Sequence, residues 1–347
     1  MSSHIQALLN ALGYTKSNAE FLAQLIQKHG ISPSNAISSN VISSSNAISS
    51  NPPPLIVFDC DQTLIQGDVG EILLSFLWKN RLVQSIAPFE AILIKDAFGE
   101  QAGSLILETM SVALRDSQKY FAYLWDLYKL LYETKVSCAL TFAAGCLEHF
   151  EASERKLRSA QIFKQALTWD LTFEDLKTNY AGIASPQLLL SLTPQDLETR
   201  YDDLFDTPKS IWVHVQPFLA QMTLMQIFQE HRFEVAVISG SAQLIVEQVA
   251  EHFQLPLKQV VALHFENGVL LEPAPIHHRK IDACLHHFGR LPLMMFGDSL
   301  NDVPLMEKST YALLVDYQKN QVIEKAHAMG ALIQDFRLLS DRFSHSY

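Results

Sequence analysis

Four short apolar runs stand out along this chain, and three of them close on polar, chemistry-bearing residues. Leu55 to Phe58 leads into Asp59; FEVAVISGS from Phe233 ends in Ser239, Gly240 and Ser241; LPLMMF from Leu291 leads into Gly297 and Asp298. The fourth is Tyr311 to Val315. Runs this short and this continuously apolar predict strands buried on both faces of a parallel sheet. Around them the period changes: Pro217 to His231 and Ala242 to Phe253 repeat apolar residues every three or four positions, which predicts helices. Strands alternating with helices, with polar clusters at the strand ends, predict an α/β fold. Its core would be an open, doubly wound parallel sheet that binds ligands where the strand order reverses.

One interval breaks the alternation. About 170 residues separate Thr63 from Phe233, whereas a crossover between strands needs a few tens. The interval is mostly of helical period, through Ile72, Leu73, Phe76 and Leu77, then Phe121, Leu124, Trp125, Tyr128, Leu131 and Tyr132, then Phe150, Leu157, Ile162, Phe163 and Leu167. It predicts an all-helical cap inserted directly after the first strand, placed over the strand ends as a lid. Upstream, apolar spacing from His4 to Lys28 predicts two short helices around Gly13 and Tyr14, ended by Gly30. SNAISSN then occurs at Ser34 and again at Ser45, before three prolines, a composition that cannot bury enough surface to fold. The expected organisation is a helical segment over 1–30, a linker or mobile arm over 31–54, a catalytic core from 55–67 and 209–347, and a cap over 68–208.

Composition narrows the class. With 347 residues, 48% hydrophobic and 18% charged, the chain can bury a large core. A formal net charge of -11 argues against nucleic acid or an anionic membrane as the main partner. No apolar run reaches the ~18 residues of a membrane span, and the start MSSHIQALLN lacks the basic flank and apolar core of a secretory signal. The four cysteines show no metal-ligand spacing. A reducing, cytoplasmic setting is expected, although a C-terminal export signal would leave no trace of this kind.

The chemistry starts from Asp59 and Asp61, two residues apart on what reads as an extended segment and therefore facing the same way. At about 4 Å and an effective dielectric near 20, two such charges repel by roughly 4 kcal/mol, so ionising both calls for a cation. GDSLND from Gly297 supplies Asp298 and Asp302 at another strand end. A carboxylate beside a cation can attack phosphorus and carry the phosphoryl group, which makes Asp59 the candidate nucleophile. Asp61 is the candidate general acid and base. A few carboxylates, a carbonyl and waters suit Mg2+, with Asp59 and Asp298 as the side-chain ligands. Ser239, Gly240 and the amides beside them could hold an anion. Lys280 or its neighbour Arg279 could complete the charge balance.

In this order, Asp-x-Asp-x-Thr at Asp59 to Thr63, Ser239 after a strand, Lys280, and Gly-Asp-Ser-x-Asn-Asp at Gly297 to Asp302 resemble the haloacid dehalogenase superfamily of phosphatases. The resemblance spans Leu55 to about Gln66 and Val213 to about Asp316. It implies Asp59 as nucleophile, Asp61 as acid and base, Ser239, Gly240, Lys280 and Asn301 around phosphate, and Mg2+ held by Asp59, the Asp61 carbonyl and Asp298. Thr63 and Asp302 would be supporting residues. The superfamily members that act on carbon lack the second aspartate, so Asp61 favours phosphate chemistry. A lid directly after the first motif looks like the phosphoserine phosphatase branch, in which the acidic residue nine positions after the nucleophile, here Asp68, faces the substrate amine. This lid is about twice as long as in small members of that branch, and Arg81 and Arg115, its available arginines, are expected to face solvent. QGDVGEILLSFLW also resembles the lid start of phosphorylcholine-type phosphatases, where aromatic faces such as that of Trp78 would hold a quaternary ammonium.

The expected activity is therefore Mg2+-dependent hydrolysis of a small phosphomonoester, with amine-bearing ones such as phosphoserine, phosphocholine or phosphoethanolamine as candidates. Two rivals are a catalytically idle protein that docks a partner through its N-terminal arm or cap, and a phosphotransferase to an alcohol. Of the remaining residues, the lid aromatics at helical spacing are expected to form the lid's own core. Cys60 should pack away from the aspartates, Thr63 should donate locally, and His277, His278, His286 and His287 should lie on a solvated face.

Overall fold

Six parallel strands form the centre of the molecule: β1 (Leu55–Phe58), β2 (Glu234–Ala242), β3 (Val260–Leu263), β4 (Met294–Gly297), β5 (Tyr311–Asp316) and β6 (Leu332–Asp335). The computed structural model describes residues 2–31, 52–167, 177–183, 185–212 and 215–340. Across the sheet the order is β6-β5-β4-β1-β2-β3, with every neighbouring pair parallel. The direction of winding reverses between β1 and β4, and the residues after these two strands meet there, at the crevice where such sheets take ligands. Ile56 pairs with Met294 on one side and Val235 on the other, and all four residues of β1 are buried. A strand enclosed on both faces has no use for polar alternation, which is why it reads as LIVF.

Four of these strands match the apolar runs. The other two, β3 and β6, were not expected. β6 carries Leu332, Ile333, Gln334 and Asp335 at the sheet's edge, with too few apolar residues to signal a strand. Helices Leu219–Glu230 and Gln243–His252 lie within the expected intervals and flank β2.

The insertion between β1 and β2 is an extensive helical cap; among the described residues it has helices at Val69–Lys79, Pro88–Phe98, Glu100–Ala113, Ser117–Thr134, Val136–Gly145 and Ala152–Leu167 and three shorter ones before Phe205. It is not helical throughout. Lys177–Ile183 and Phe205–Trp212 form an antiparallel ribbon near its exit, running across the boundary expected at 208. The cap builds its own aromatic core: Phe121 and Trp125 stack with centroids 5.8 Å apart, and Trp78 meets Trp125 edge-on at 5.9 Å.

The first thirty residues form helices Ser2–Ala11 and Lys16–His29, and they are built into the core. Ile5, Leu9, Leu22, Leu25 and Ile26 are buried. The Tyr14 hydroxyl donates to Gln221 Oε1 at 2.7 Å, and Asn18 Nδ2 donates to the Ile333 carbonyl at 2.8 Å. Gly13, at φ 101°, lies so close to Leu338 that a Cβ would fall 1.8 Å from its carbonyl oxygen. The Ser/Asn-rich stretch with its SNAISSN repeat lies outside the described residues.

Candidate active site

Asp59 and Asp61 both reach one cavity of about 650 Å³ beyond the carboxyl ends of the strands. They do so for a reason other than the strand alternation expected of them. Regular pairing of β1 stops at Phe58, although the Asp59 amide still donates to the Phe296 carbonyl at 2.8 Å. The chain then turns, with Gln62 in a left-handed conformation (φ 56°) and Leu64 N–H bonded back to the Cys60 carbonyl. Asp61 is aimed by two donors instead: the Val69 amide at 2.8 Å and the Ser241 hydroxyl at 2.6 Å. Cys60, between the aspartates, is buried in the core as expected.

Lys280 stands behind this floor, fully buried near the start of helix Arg279–Phe288. Its Nζ donates to Asp59 Oδ1 at 2.6 Å, Asp302 Oδ1 at 2.6 Å and the Ile238 carbonyl at 3.2 Å. Arg279 instead pairs with Glu272 on the surface, which decides between the two neighbours. Burial works against charge on Lys280, yet Asp302 and Asp59 outweigh it and hold its pKa above the ordinary lysine value. Asp59, Asp298 and Asp302 each offer a carboxylate oxygen within 4.8 Å of the others, all three residues being buried. Such a group could hold a divalent cation of the Mg2+ type. The residues fit one on electrostatic grounds: burial, with Asp302 and Asp298 adding to it against Lys280, pushes the Asp59 carboxyl well above its usual range, and burial raises Asp298 to about 7. A bound cation would relieve both.

Asp302 is the most engaged of the three. Its Oδ2 accepts from the amides of Asp298 and Ser299, both at 3.1 Å, and from the Ser299 hydroxyl at 2.8 Å, while Oδ1 takes Lys280. Asp302 thus braces the loop after β4 and anchors the lysine. Asn301 lines the cavity and accepts the His277 amide at 2.5 Å. Gly240 lines it too, and a Cβ there would stand 3.0 Å from Leu140 Cδ1 of the cap and 3.2 Å from Asn301 Nδ2. A side chain at 240 would crowd both, and Leu140 and Asn301 would have to give by a few tenths of an ångström.

Several expectations shift by one residue or one layer. Ser239 is fully buried and its hydroxyl accepts the Ser241 amide at 3.1 Å. Ser241, two residues on, lines the cavity and touches Asp61, a division between the two serines that strand alternation, which sets both on one face, does not give. The Thr63 hydroxyl was expected to donate locally; it is buried with no hydrogen-bond partner among the described residues, because the turn directs it into the protein. Trp78 was a candidate for the substrate side but is spent in the cap core, and Tyr132 is the cap aromatic that lines the cavity. His277, expected with its neighbours on a solvated face, is exposed but sits at the cavity rim. Asp68 lines the cavity while capping helix Val69–Lys79, its Oδ1 accepting the Glu71 amide at 2.9 Å. Burial, with Glu71 nearby, raises its carboxyl to about 6. Arg81 and Arg115 bond the carbonyls of Leu114 and Ser111, away from the cavity. Lys319, which nothing in its local sequence singled out, lines the cavity and pairs with Asp298.

Comparison with known proteins agrees with this geometry at the level of the domain. Residues 192–307 match the family of haloacid dehalogenase-like hydrolases, about a third of the chain, covering Ser239, Lys280, Asp298 and Asp302 but not the loop of Asp59. None of the curated proteins matches. Among solved structures, a conserved functionally unknown protein from Anaerococcus prevotii is similar at 16% identity over 92% of each chain, with a TM-score of 0.55. A protein of unknown function from Bordetella pertussis (13% identity, 82% of this chain and 99% of that one, TM-score 0.44) is more distant. So is a phosphoserine phosphohydrolase-like protein from Francisella tularensis (13%, 84% and 99%, TM-score 0.36). The first of these shares the fold; the other two are too remote to carry a functional reading. The chain therefore contains a haloacid dehalogenase-like hydrolase domain whose core sheet carries a buried cluster of three aspartates suited to aspartyl-phosphate chemistry.

Proposed function

We propose that the protein is a Mg2+-dependent phosphomonoesterase working through an aspartyl-phosphate on Asp59. The observation that carries this reading is the division of labour between two carboxylates on one cavity. Asp59 is held by the Lys280 ammonium, whereas Asp61 is held by a hydroxyl and an amide. Burial, then the charges of Asp68 and Asp59, raise the Asp61 carboxyl well above its usual range, which favours the protonated form that a general acid needs. In the first half-reaction an Asp59 oxygen forms a bond to phosphorus as the bond to the leaving oxygen breaks, and Asp61 gives that oxygen its proton. In the second, water attacks phosphorus, Asp61 takes a proton from the water, and the Asp59–phosphorus bond breaks to release phosphate. Lys280 keeps Asp59 oriented and partly neutralised throughout. A divalent cation held by Asp59 and Asp298, with the Asp61 backbone carbonyl, would supply positive charge to the phosphoryl oxygens.

The cavity supports an amine-bearing leaving group. Asp68 and Tyr132 line it with Val136 and Leu140 of the cap, and no arginine is among the described lining residues to meet a substrate carboxylate. Asp68 offers an amine its partner and Lys319 is the cation left for a substrate carboxylate, so phosphorylated amino alcohols and phosphoserine both belong in the substrate panel.

The test is hydrolysis of a panel of phosphomonoesters with Mg2+, comparing wild type with Asp59→Asn. Turnover should fall by about 10⁴-fold or more, on the scale of losing a nucleophile that acts as a unit with its partners, while circular dichroism stays unchanged. Activity surviving in a folded Asp59→Asn protein would sink the mechanism.

A further inference from the structure

Two lysines serve the aspartate cluster from opposite sides, and they differ in access. Lys280 is sealed, its side chain 0% exposed beneath Asp59 and Asp302. Lys319 comes from the cavity side, between β5 and helix Asn320–Ala328, and its side chain is 41% exposed. Its Nζ lies 2.8 Å from Asp298 Oδ2 and 3.0 Å from Gln62 Oε1, and 5.8 Å from the centre of the Tyr317 ring. It thereby connects loops after three adjacent strands, β1, β4 and β5, on the side chain of Asp298, which is itself 6% exposed. Among the described residues it is the one lysine or arginine that lines the cavity.

Resting on the metal assignment above, we infer that Lys319 is a displaceable counter-cation: its ammonium and the divalent ion compete for the Asp298 carboxylate, so that Lys319 sets how tightly the metal is held. The argument is one of charge and access. Asp298 is buried beside Asp59 and Asp302, and an ionised carboxylate in that position needs a partner. Lys319 is the ammonium paired with it on the cavity side. A divalent ion with access to the same oxygen meets a monovalent competitor on a long, half-exposed and flexible stem, which can swing aside into the cavity. Lys280 cannot do this, because its ammonium is enclosed by Asp59, Asp302 and the Ile238 carbonyl. Gln62 and the Tyr317 ring keep the displaced lysine near the rim, where its charge continues to offset the cavity's aspartates.

Isothermal titration of MgCl2 into the full, substrate-free chain tests this without reference to turnover. Lys319→Met should bind Mg2+ about tenfold more tightly at low ionic strength, because both a competitor and a like charge a few ångströms away are removed. The difference should narrow as salt is raised. Lys319→Arg, which keeps the charge, should stay within about threefold of wild type, and Lys319→Gln should follow Lys319→Met. Equal or weaker Mg2+ binding by Lys319→Met and Lys319→Gln, with melting curves matching wild type, overturns the inference and leaves the phosphatase reading standing. A wild-type chain that binds no Mg2+, or an Asp298→Asn variant that binds it as tightly as wild type, overturns the metal assignment and this inference with it.

Discussion

The floor of the cavity and the cap above it are held together by different physics. The floor is a polar lattice: Asp302 accepts four hydrogen bonds, Lys280 donates three, and Asp61 takes one from the cap's first helix and one from Ser241. Its members come from loops far apart in the chain, and removing Lys280 takes a buried, charged partner from both Asp59 and Asp302. The cap is held by ring against ring, with Trp78, Phe121, Trp125 and Tyr128 in mutual contact, and it turns only a few side chains toward the cavity. The aspartate cluster is thus fixed by several hydrogen bonds at once, whereas among the described residues only a few cap side chains line the cavity.

The sharpest way to break this contrast is Lys280→Met. Removing one partner from a buried, hydrogen-bonded charge cluster costs about 3–5 kcal/mol, so denaturant melts should show a loss of that size along with loss of turnover. A stability change below about 1 kcal/mol would mean that the lattice is less interdependent than its hydrogen bonds imply. On the cap side, Tyr132→Ala should leave the fold intact, raise KM for the best substrate by about tenfold and change kcat by less than about threefold, the pattern of lost uniform binding. An equal fall in kcat and kcat/KM would place Tyr132 with the reacting groups instead.

The smallest effect concerns Asp68, where floor and cap meet. Its folded pKa of about 6 lies above the ordinary aspartate value, so the folded state binds the extra proton between about pH 4 and 6. Stability from this group is therefore lost as pH rises through that window. Asn caps a helix as well as Asp does, so Asp68→Asn keeps the Glu71 contact and removes the titration. Wild type should lose about 1–2 kcal/mol relative to Asp68→Asn between pH 4 and pH 7, measured without metal. Parallel curves would mean that the carboxyl is better solvated than its place in the cavity wall suggests.

How legible these features were follows from how local they are. A strand buried on both faces must be apolar along its length, so β1, β2, β4 and β5 announced themselves, whereas β3 and β6 are the sheet's two edge strands, β3 with a half-buried position and β6 with polar ones. Of the cap's helices, Val69–Lys79, Ser117–Thr134 and Ala152–Leu167 were legible from period, but the ribbon was not. The N-terminal helices were visible as helices; that they join the core depends on contacts such as Tyr14 with Gln221 and Asn18 with Gln334, more than two hundred positions away.

By itself the sequence determined the frame: apolar strands that end in Asp59, Ser239 and Asp298, a lysine at 280, and a long helical insertion after the first strand. Those are consequences of local period and residue type. Only the tertiary structure decided that Ser241 lines the cavity while Ser239 lies behind it, that Tyr132 faces the cavity and Trp78 does not, and that Lys319 meets Asp298. The physical reason is that a loop side chain takes its direction from the neighbours packed around it. Here those neighbours come from separate strands and from the cap, a proximity that spacing along the chain does not encode.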